Sequence, residues 1–151
     1  LNTAEDNMLL FSIYGWTGGE ANAENAAKTD DLIAAAMEVA EQHGGIPTII
    51  AGDFNAHSHV WDPHQPEDAL GHLIEDWAIT AGLSCINDGA PTRLNPATDG
   101  RSTPDVTLVS PGLAGNATWK TTSNMSKTKA DVTFFDILQM EDYINFRQNG
   151  M

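Results

Sequence analysis

Residues 46–58 have the sequence IPTIIAGDFNAHS, and this stretch decides the fold. Its first six residues are almost continuously apolar, which is typical of a strand covered on both faces. Asp53 and Asn55 follow two positions apart, so an extended chain directs both side chains to one side. Ligands of α/β folds bind at the carboxyl ends of strands. The stretch therefore predicts a polar site at a strand end. A plain turn accounts for the same spacing, because Asp and Asn both favour turns.

The flanking sequence alternates between strand and helix patterns, which indicates an α/β domain. The predicted elements are a strand over residues 8–14, a helix from an N-cap at Thr29 to Gly44, a strand over 46–51, a helix over 70–81, and strands over 83–86 and 105–109. Residues 91–100 are interpreted as a loop, and residues 132–140 as either a strand or a short helix. Asp105 begins its strand instead of ending it, which suits an antiparallel or mixed neighbour.

Charge and composition restrict the function. The 151 residues carry a net charge of −14, from 7 Lys and Arg against 21 Asp and Glu. The chain as a whole therefore lacks a basic nucleic-acid footprint, and a phosphate substrate needs a metal cation or a basic partner. The single cysteine, Cys85, excludes an internal disulfide and a cysteine-based zinc cluster. No apolar run is long enough for a transmembrane helix. The start of the sequence, without Met or a basic segment, suggests a fragment, a processed chain or an excised domain.

Three motifs, taken in order, resemble the endonuclease/exonuclease/phosphatase superfamily, and most of all the apurinic-like endonuclease domains of non-LTR retrotransposons. The first is Tyr14, at the end of the first predicted strand. The second is the box at residues 52–58, together with Trp61. The third is a Ser-x-x-Asp pattern in residues 102–108. The resemblance extends over about residues 9–111.

This resemblance implies a fold, a reaction and partners. The fold would be α/β (α+β), a four-layer sandwich of two mixed β-sheets flanked by helices, incomplete at its N-terminal side. Residues 1–151 would form a single domain with a divergent tail over 120–151. The reaction would be phosphodiester hydrolysis assisted by Mg²⁺, or by Mn²⁺ in its place, with nicked DNA as the product. The resemblance also implies a reverse transcriptase module in the parent polyprotein, no membrane partner, and an intracellular, nuclear location.

The resemblance assigns four catalytic roles. Asp53 would orient or deprotonate the attacking water, and Asn55 would help to hold that water and the scissile phosphate. Both residues would also contact the metal. Tyr14 would donate a hydrogen bond to a phosphate oxygen, and Asp105 would orient a catalytic histidine.

Four further residues are candidates for substrate binding. His57 belongs to the second motif, and Ser102 opens the third. Arg101 lies in a polar loop that can contact a phosphate backbone, because Arg is a common phosphate binder, although two arginines in such a loop are also ordinary. Trp61 either packs against the motif loop, which we favour, or stacks on a DNA base.

The sequence also departs from the resembled pattern. The metal-binding glutamate of that superfamily lies upstream of the tyrosine strand, where residues 1–8 supply no counterpart. Its Ser-Asp-His box has no counterpart after Trp119, where Ser126–Asp131 is not that motif, and no histidine follows His72. Two alternatives therefore stay open: a catalytically inactive or partner-binding domain of the same fold, and a phosphatase for small phosphoesters.

A cluster of histidines after the second motif allows one more hypothesis. His57, His59 and His64 lie close to Asp62 in the sequence, and imidazole and carboxylate groups both bind zinc. The spacing matches no recognised zinc motif, so the sequence favours the interpretation of these side chains as neighbours of the box without a metal.

Overall fold

The computed structural model describes residues 8–15, 23–95 and 97–120. The elements in chain order are β1 (Leu9–Tyr14), α1 (Ala23–Gln42), β2 (Thr48–Asp53), α2 (Ala69–Thr80), β3 (Ser84–Cys85), β4 (Arg93–Asn95), β5 (Gly100–Ser102), β6 (Asp105–Val109) and α3 (Pro111–Ala114). In this part of the chain, no helix combines the length and the apolarity that crossing a membrane requires.

Four strands form a mixed sheet in the order β1-β2-β6-β3. β1 and β2 run parallel, whereas β6 runs antiparallel to both β2 and β3. β4 and β5 form a separate two-stranded antiparallel sheet. The predicted α+β class and the antiparallel placement of the strand that begins at Asp105 are therefore confirmed.

The two faces of the four-stranded sheet bury different side chains, because successive residues of a strand point to opposite faces. Ile50 and Leu108 lie on the face that packs against Ile33 of α1 and Ile74 of α2. The opposite face belongs to a second apolar cluster, whose buried members are Ile49, Ala51, Val109 and Leu113. β2 is thus buried on both faces, as its continuous apolar run predicts.

The helix stripe over residues 70–81 is confirmed as α2. Asp68 caps this helix, because its Oδ1 accepts a hydrogen bond from the Gly71 N–H at 2.7 Å. Ile74 and Ala78 of the stripe are buried, and Trp77 packs on the same core while remaining half-buried.

Two sequence predictions about local structure were wrong. α1 begins at Ala23, and Thr29, predicted as its N-cap, lies buried inside the helix. The preceding residues are rich in alanine, and alanine has the highest helix propensity of any residue. The predicted loop at 91–100 contains β4 and ends at the start of β5. These short strands are largely exposed and polar, so their sequence has no alternating apolar pattern that would predict them. The predicted element at residues 132–140 lies outside the described residues.

Cys85 is expected to react slowly with thiol reagents in the native protein. Burial raises the pKa of its thiol from the ordinary 9.0 to about 11, with the nearby Asn87 acting weakly in the opposite direction. At pH 8 the native thiolate fraction is then about a hundredfold below that of the unfolded chain. The measurement is the rate of modification by a disulfide reagent, with and without denaturant. Equal rates in the two conditions would contradict the burial of this thiol.

Candidate active site

A row of three polar side chains crosses the mixed sheet at one end. Tyr14, the last residue of β1, pairs with Asp53, the last residue of β2, and Asp53 pairs with Asp105, the first residue of β6. Residues that pair directly across strands share a face of the sheet. Because Phe11 and Ile13 of β1 pack on the helix side, the alternation places this polar row on the opposite face. The sheet thereby brings together three residues that are far apart in the sequence. Tyr14 is 65% exposed.

Asn55 is held next to this row by two hydrogen bonds. Its backbone N–H donates to Asp53 Oδ1 at 2.9 Å, and its side-chain Nδ2 donates to the Gly15 carbonyl at 2.9 Å. The Gly15 N–H in turn donates to the carbonyl of Asp53. Asn55 has a φ of 49°, a left-handed conformation that asparagine tolerates better than most residues. The turn after β2 is therefore tied to the end of β1. The turn that the sequence allows is present, and it holds Asp53 and Asn55 at the strand end where the polar site is predicted.

The two carboxylates of the row oppose each other electrostatically. The pKa of Asp105 is raised, first by burial and then by the negative charge of Asp53, whereas the Thr92 hydroxyl and the Arg93 guanidinium favour its charged form. Two paired carboxylates of this kind favour a positive ligand, because a cation removes the repulsion between them.

Asp105→Asn is expected to raise the melting temperature at pH 7 by a few degrees, equivalent to about 1 kcal/mol. Because its pKa is higher in the folded than in the unfolded chain, the folded state binds more protons between the two values. The contribution of Asp105 to stability is therefore present below the unfolded-state pKa and is lost as the pH rises through the folded-state pKa. The gain in the variant should shrink on acidification through that window.

The measurement for Asp105→Asn is thermal unfolding followed by circular dichroism in EDTA across a pH series. Asp76→Asn, on the exposed side of α2, is the matched control and should change stability by less than about 0.5 kcal/mol. A variant that melts below the parent chain at neutral pH would contradict the electrostatic strain assigned to the pair.

The β4–β5 sheet begins beside the row. Thr92, directly before β4, donates its N–H to the Ser102 carbonyl at 3.1 Å, and Arg93 lies close enough to act on Asp105. Ser102 is half-buried at the end of β5, and the exposed Arg101 accepts a hydrogen bond from the Gln65 side chain at its carbonyl. Arg93 thus lies next to the row, whereas Arg101 pairs with Leu94 and lies on the opposite face of this hairpin. Thr92 was not anticipated as part of the site, because it lies in a stretch without a motif.

The substrate-binding assignment of Trp61 is corrected by its burial. The side chain is 1% exposed and belongs to the core between the sheet and the helices, and its indole N–H donates to the Ala56 carbonyl at 3.1 Å. A ring without exposed surface has no face on which a base can stack. Packing, the favoured alternative, is therefore the role of this residue.

The histidines after the second motif do not form the zinc cluster considered from the sequence. His57 Nδ1 lies 2.8 Å from Oδ2 of the buried Asp62, and the His57 side chain is 30% exposed. His64 instead directs Nε2 to the Gly89 carbonyl at 3.1 Å. His59 lies beside Glu67, with its Nδ1 3.4 Å from a carboxylate oxygen. The role of His57 in substrate binding remains a prediction, because none of these contacts tests it.

The donor set of the row fits a hard divalent cation. Asp53 and Asp105 supply carboxylate oxygens on adjacent strands, and Asn55 supplies an amide oxygen. Mg²⁺ characteristically takes one or two carboxylates and completes its coordination with water and substrate phosphate. The pKa of Asp105 is raised by burial and, to a smaller extent, by the charge of Asp53, and a bound cation would offset the second of these effects.

Comparisons with known proteins agree with this fold. Residues 8–128 match the model of a family described as endonuclease-reverse transcriptase. Among solved structures, the chain is similar to the endonuclease domain of TRAS1, a telomere-specific non-LTR retrotransposon, with a TM-score of 0.50 and 23% sequence identity. That match covers 57% of this chain and 40% of the TRAS1 domain, so this chain spans well under two thirds of the structure it matches. None of the curated proteins matches the chain.

Proposed function

Because the chain belongs to the endonuclease-reverse transcriptase family, we propose that it hydrolyses phosphodiester bonds of DNA with the help of a divalent cation. The observation that carries the proposal is the cross-strand row of Tyr14, Asp53 and Asp105, with Asn55 tied to its centre. These residues come from three strands and one turn, and the row combines hard oxygen ligands with hydrogen-bond donors. Such a set suits the charge of a phosphate ester and of its metal ion.

The metal in this proposal is Mg²⁺, with Mn²⁺ as a substitute of similar ligand preference. Asp53, Asp105 and the Asn55 oxygen are the residues that would hold it. When bound, the cation would polarise the phosphoryl group and offset the negative charge that develops in the transition state.

The residues of the chain have separate tasks in this proposal. The Asp53 carboxylate orients the attacking water and takes its proton. The Asn55 amide donates one N–H to the Gly15 carbonyl. Its second N–H would donate to a phosphate oxygen of the substrate. The exposed phenol of Tyr14 donates to another phosphate oxygen. Asp105 supplies the second carboxylate whose negative charge the metal would offset. Ser102, Arg101 and His57 contact the substrate at the edge of the site.

DNA as the substrate is supported by two observations. The matched family is described as endonuclease-reverse transcriptase, and the solved relative is the endonuclease domain of a retrotransposon. Arg93 of β4 supplies positive charge next to the row in a chain that carries a net charge of −14. Phosphate contacts by arginine would position the duplex. A reverse transcriptase module in the parent polyprotein, and with it a nuclear location, belongs to the same proposal.

A partner-binding domain without catalytic activity is the second candidate. It is favoured by the net charge of −14, since affinity for bare DNA is mainly electrostatic. It is also favoured by residues 126–131, which stand where the resemblance places a Ser-Asp-His box and do not contain that motif.

Two small substrates separate these candidates. The purified chain is incubated with bis(p-nitrophenyl) phosphate, a diester, and with p-nitrophenyl phosphate, a monoester, in Mg²⁺, Mn²⁺ or EDTA. We expect hydrolysis of the diester in either metal and none in EDTA. Preferential hydrolysis of the monoester would favour a small-phosphoester phosphatase, and hydrolysis of neither ester would favour the partner-binding candidate.

A further inference from the structure

Two glutamates and a histidine gather at the N-terminal end of α2. Glu67 precedes the helix, while His72 and Glu75 lie three positions apart on it and therefore share a face. Their ligand atoms all lie within 4.8 Å of one another. We propose that these three residues, with His59 beside them, form a site for a transition-metal dication, and that zinc is the ion that suits it best.

His59 extends the set to four donors. Its Nδ1 lies 3.4 Å from Glu67 Oε1, and its backbone N–H donates to the same oxygen at 3.3 Å. The other oxygen of Glu67 lies 3.8 Å from His72 Nε2. One carboxylate thus lies between two imidazoles. Ligands at about 2.1 Å from a tetrahedral zinc ion are roughly 3.4 Å apart. The ligand atoms of Glu67, His72 and Glu75 already lie within 4.8 Å of one another, whereas His59 has to rotate toward them. The His59 side chain is 65% exposed and is free to make such a rotation.

The backbone that carries these donors is fixed by contacts outside the set. Asp68 and His57 exchange two hydrogen bonds: the Asp68 N–H donates to the His57 carbonyl, and the His57 N–H donates to Asp68 Oδ2. Gly71 packs against the same carbonyl, where a Cβ would approach to 1.9 Å. The buried Ser58 donates its hydroxyl to the carboxylate of Glu75. The loop and the helix are therefore held together. Ser58 orients the Glu75 carboxylate in the way that hydrogen-bond partners of metal-binding carboxylates do.

The donor set favours zinc over magnesium. Two imidazole nitrogens with carboxylates suit zinc and its neighbours in the transition series, whereas magnesium prefers oxygen donors alone. Two carboxylates and neutral imidazoles also balance the charge of a dication. This site lies on α2, which packs on the sheet face opposite the row of Tyr14, Asp53 and Asp105. The inference therefore does not rest on the proposed phosphodiesterase function.

The test is zinc binding by the metal-free chain, measured by competition with a chromophoric chelator and by the visible absorption of bound Co²⁺. We expect one equivalent of zinc, with a dissociation constant at least about tenfold larger in Glu67→Gln and in His72→Ala. His43→Ala, an exposed histidine at the end of α1, is the matched control and should bind as the parent does. Asp53→Asn should also bind as the parent does, which separates this site from the catalytic row.

Three outcomes would overturn the proposal. They are the absence of saturable zinc binding by the parent chain, unchanged binding in both Glu67→Gln and His72→Ala, and loss of binding in Asp53→Asn. Circular dichroism of each variant checks that it is folded, and the 59% exposure of the His72 side chain makes its replacement compatible with the native fold. A rise in melting temperature with zinc concentration, lost in the same two variants, is the second measurement.

Discussion

Asparagine in place of Asp53 is expected to lower the rate of phosphodiester hydrolysis about 10²–10⁴-fold, the usual contribution of a positioned acid–base group. The substitution should not destabilise the fold. The substituted amide keeps an oxygen that can accept the hydrogen bond from the Asn55 N–H. It also removes the negative charge that helps to raise the pKa of Asp105. The melting temperature of Asp53→Asn should therefore equal or exceed that of the parent chain, which is the pattern of a site that trades stability for activity.

Initial rates on bis(p-nitrophenyl) phosphate in Mg²⁺ measure the effect of Asp53→Asn, and circular dichroism measures its stability. Asp31→Asn, an exposed acid on α1, is the matched control and should keep the parent rate. A loss of rate that is accompanied by an equal loss of folded protein would assign Asp53 to the fold instead of to the chemistry. An unchanged rate would remove Asp53 from the proposed site.

Alanine in place of Gly52 is expected to destabilise the fold by at least about 3 kcal/mol, as the sum of backbone strain and overpacking. Gly52 has a φ of +155° and pairs with Ile13 across β1 and β2. A Cβ at this position would lie 1.7 Å from the Ile13 carbonyl oxygen and 2.7 Å from its carbon. Because these are backbone atoms of the pair directly before Tyr14 and Asp53, the strands have to separate there to make room, and the row would lose its alignment.

Gly112→Ala is the control for Gly52→Ala, since a Cβ at this position in α3 meets no atom within 4 Å. It should be neutral or slightly stabilising, because alanine is the better helix former. Urea unfolding followed by tryptophan fluorescence measures both variants. A Gly52→Ala chain with parental stability would show that the close approach of β1 and β2 is not a feature of the folded protein.

The central strand and the pair of polar residues at its end could be predicted because their signals are local. The apolar run of β2 and the acid and amide that follow it lie within ten residues, so a single strand end accounts for both. The helix stripe of α2 is equally local, and its buried positions at Ile74 and Ala78 follow from the period of 3.6 residues. The position of Tyr14 beside Asp53 came from the family resemblance, and the parallel register of β1 and β2 provides the physical reason.

Other features depend on contacts between segments and could not be predicted. The sequence favours packing for Trp61, but the partners of that packing, among them Ile74 and Ala78 of α2, follow only from the fold. The β4–β5 sheet pairs exposed polar residues, so its stability comes from the hydrogen bonds of the hairpin and not from an apolar pattern. The set around Glu67 and His72 forms only because Asp68 and His57 lock the loop to the helix. Residues 126–131, which stand where the Ser-Asp-His box was sought, lie outside the described part of the chain.

The most direct test of the central claim is the conversion of supercoiled plasmid to its nicked form by the purified chain at low ionic strength. The account predicts nicking in Mg²⁺, none in EDTA, and a rate for Asp53→Asn that falls to the background. Nicking that persists in EDTA, or that Asp53→Asn retains in full, would contradict a metal-dependent site at the end of β2. The absence of nicking by the parent chain in Mg²⁺ and in Mn²⁺ would contradict the proposed activity itself.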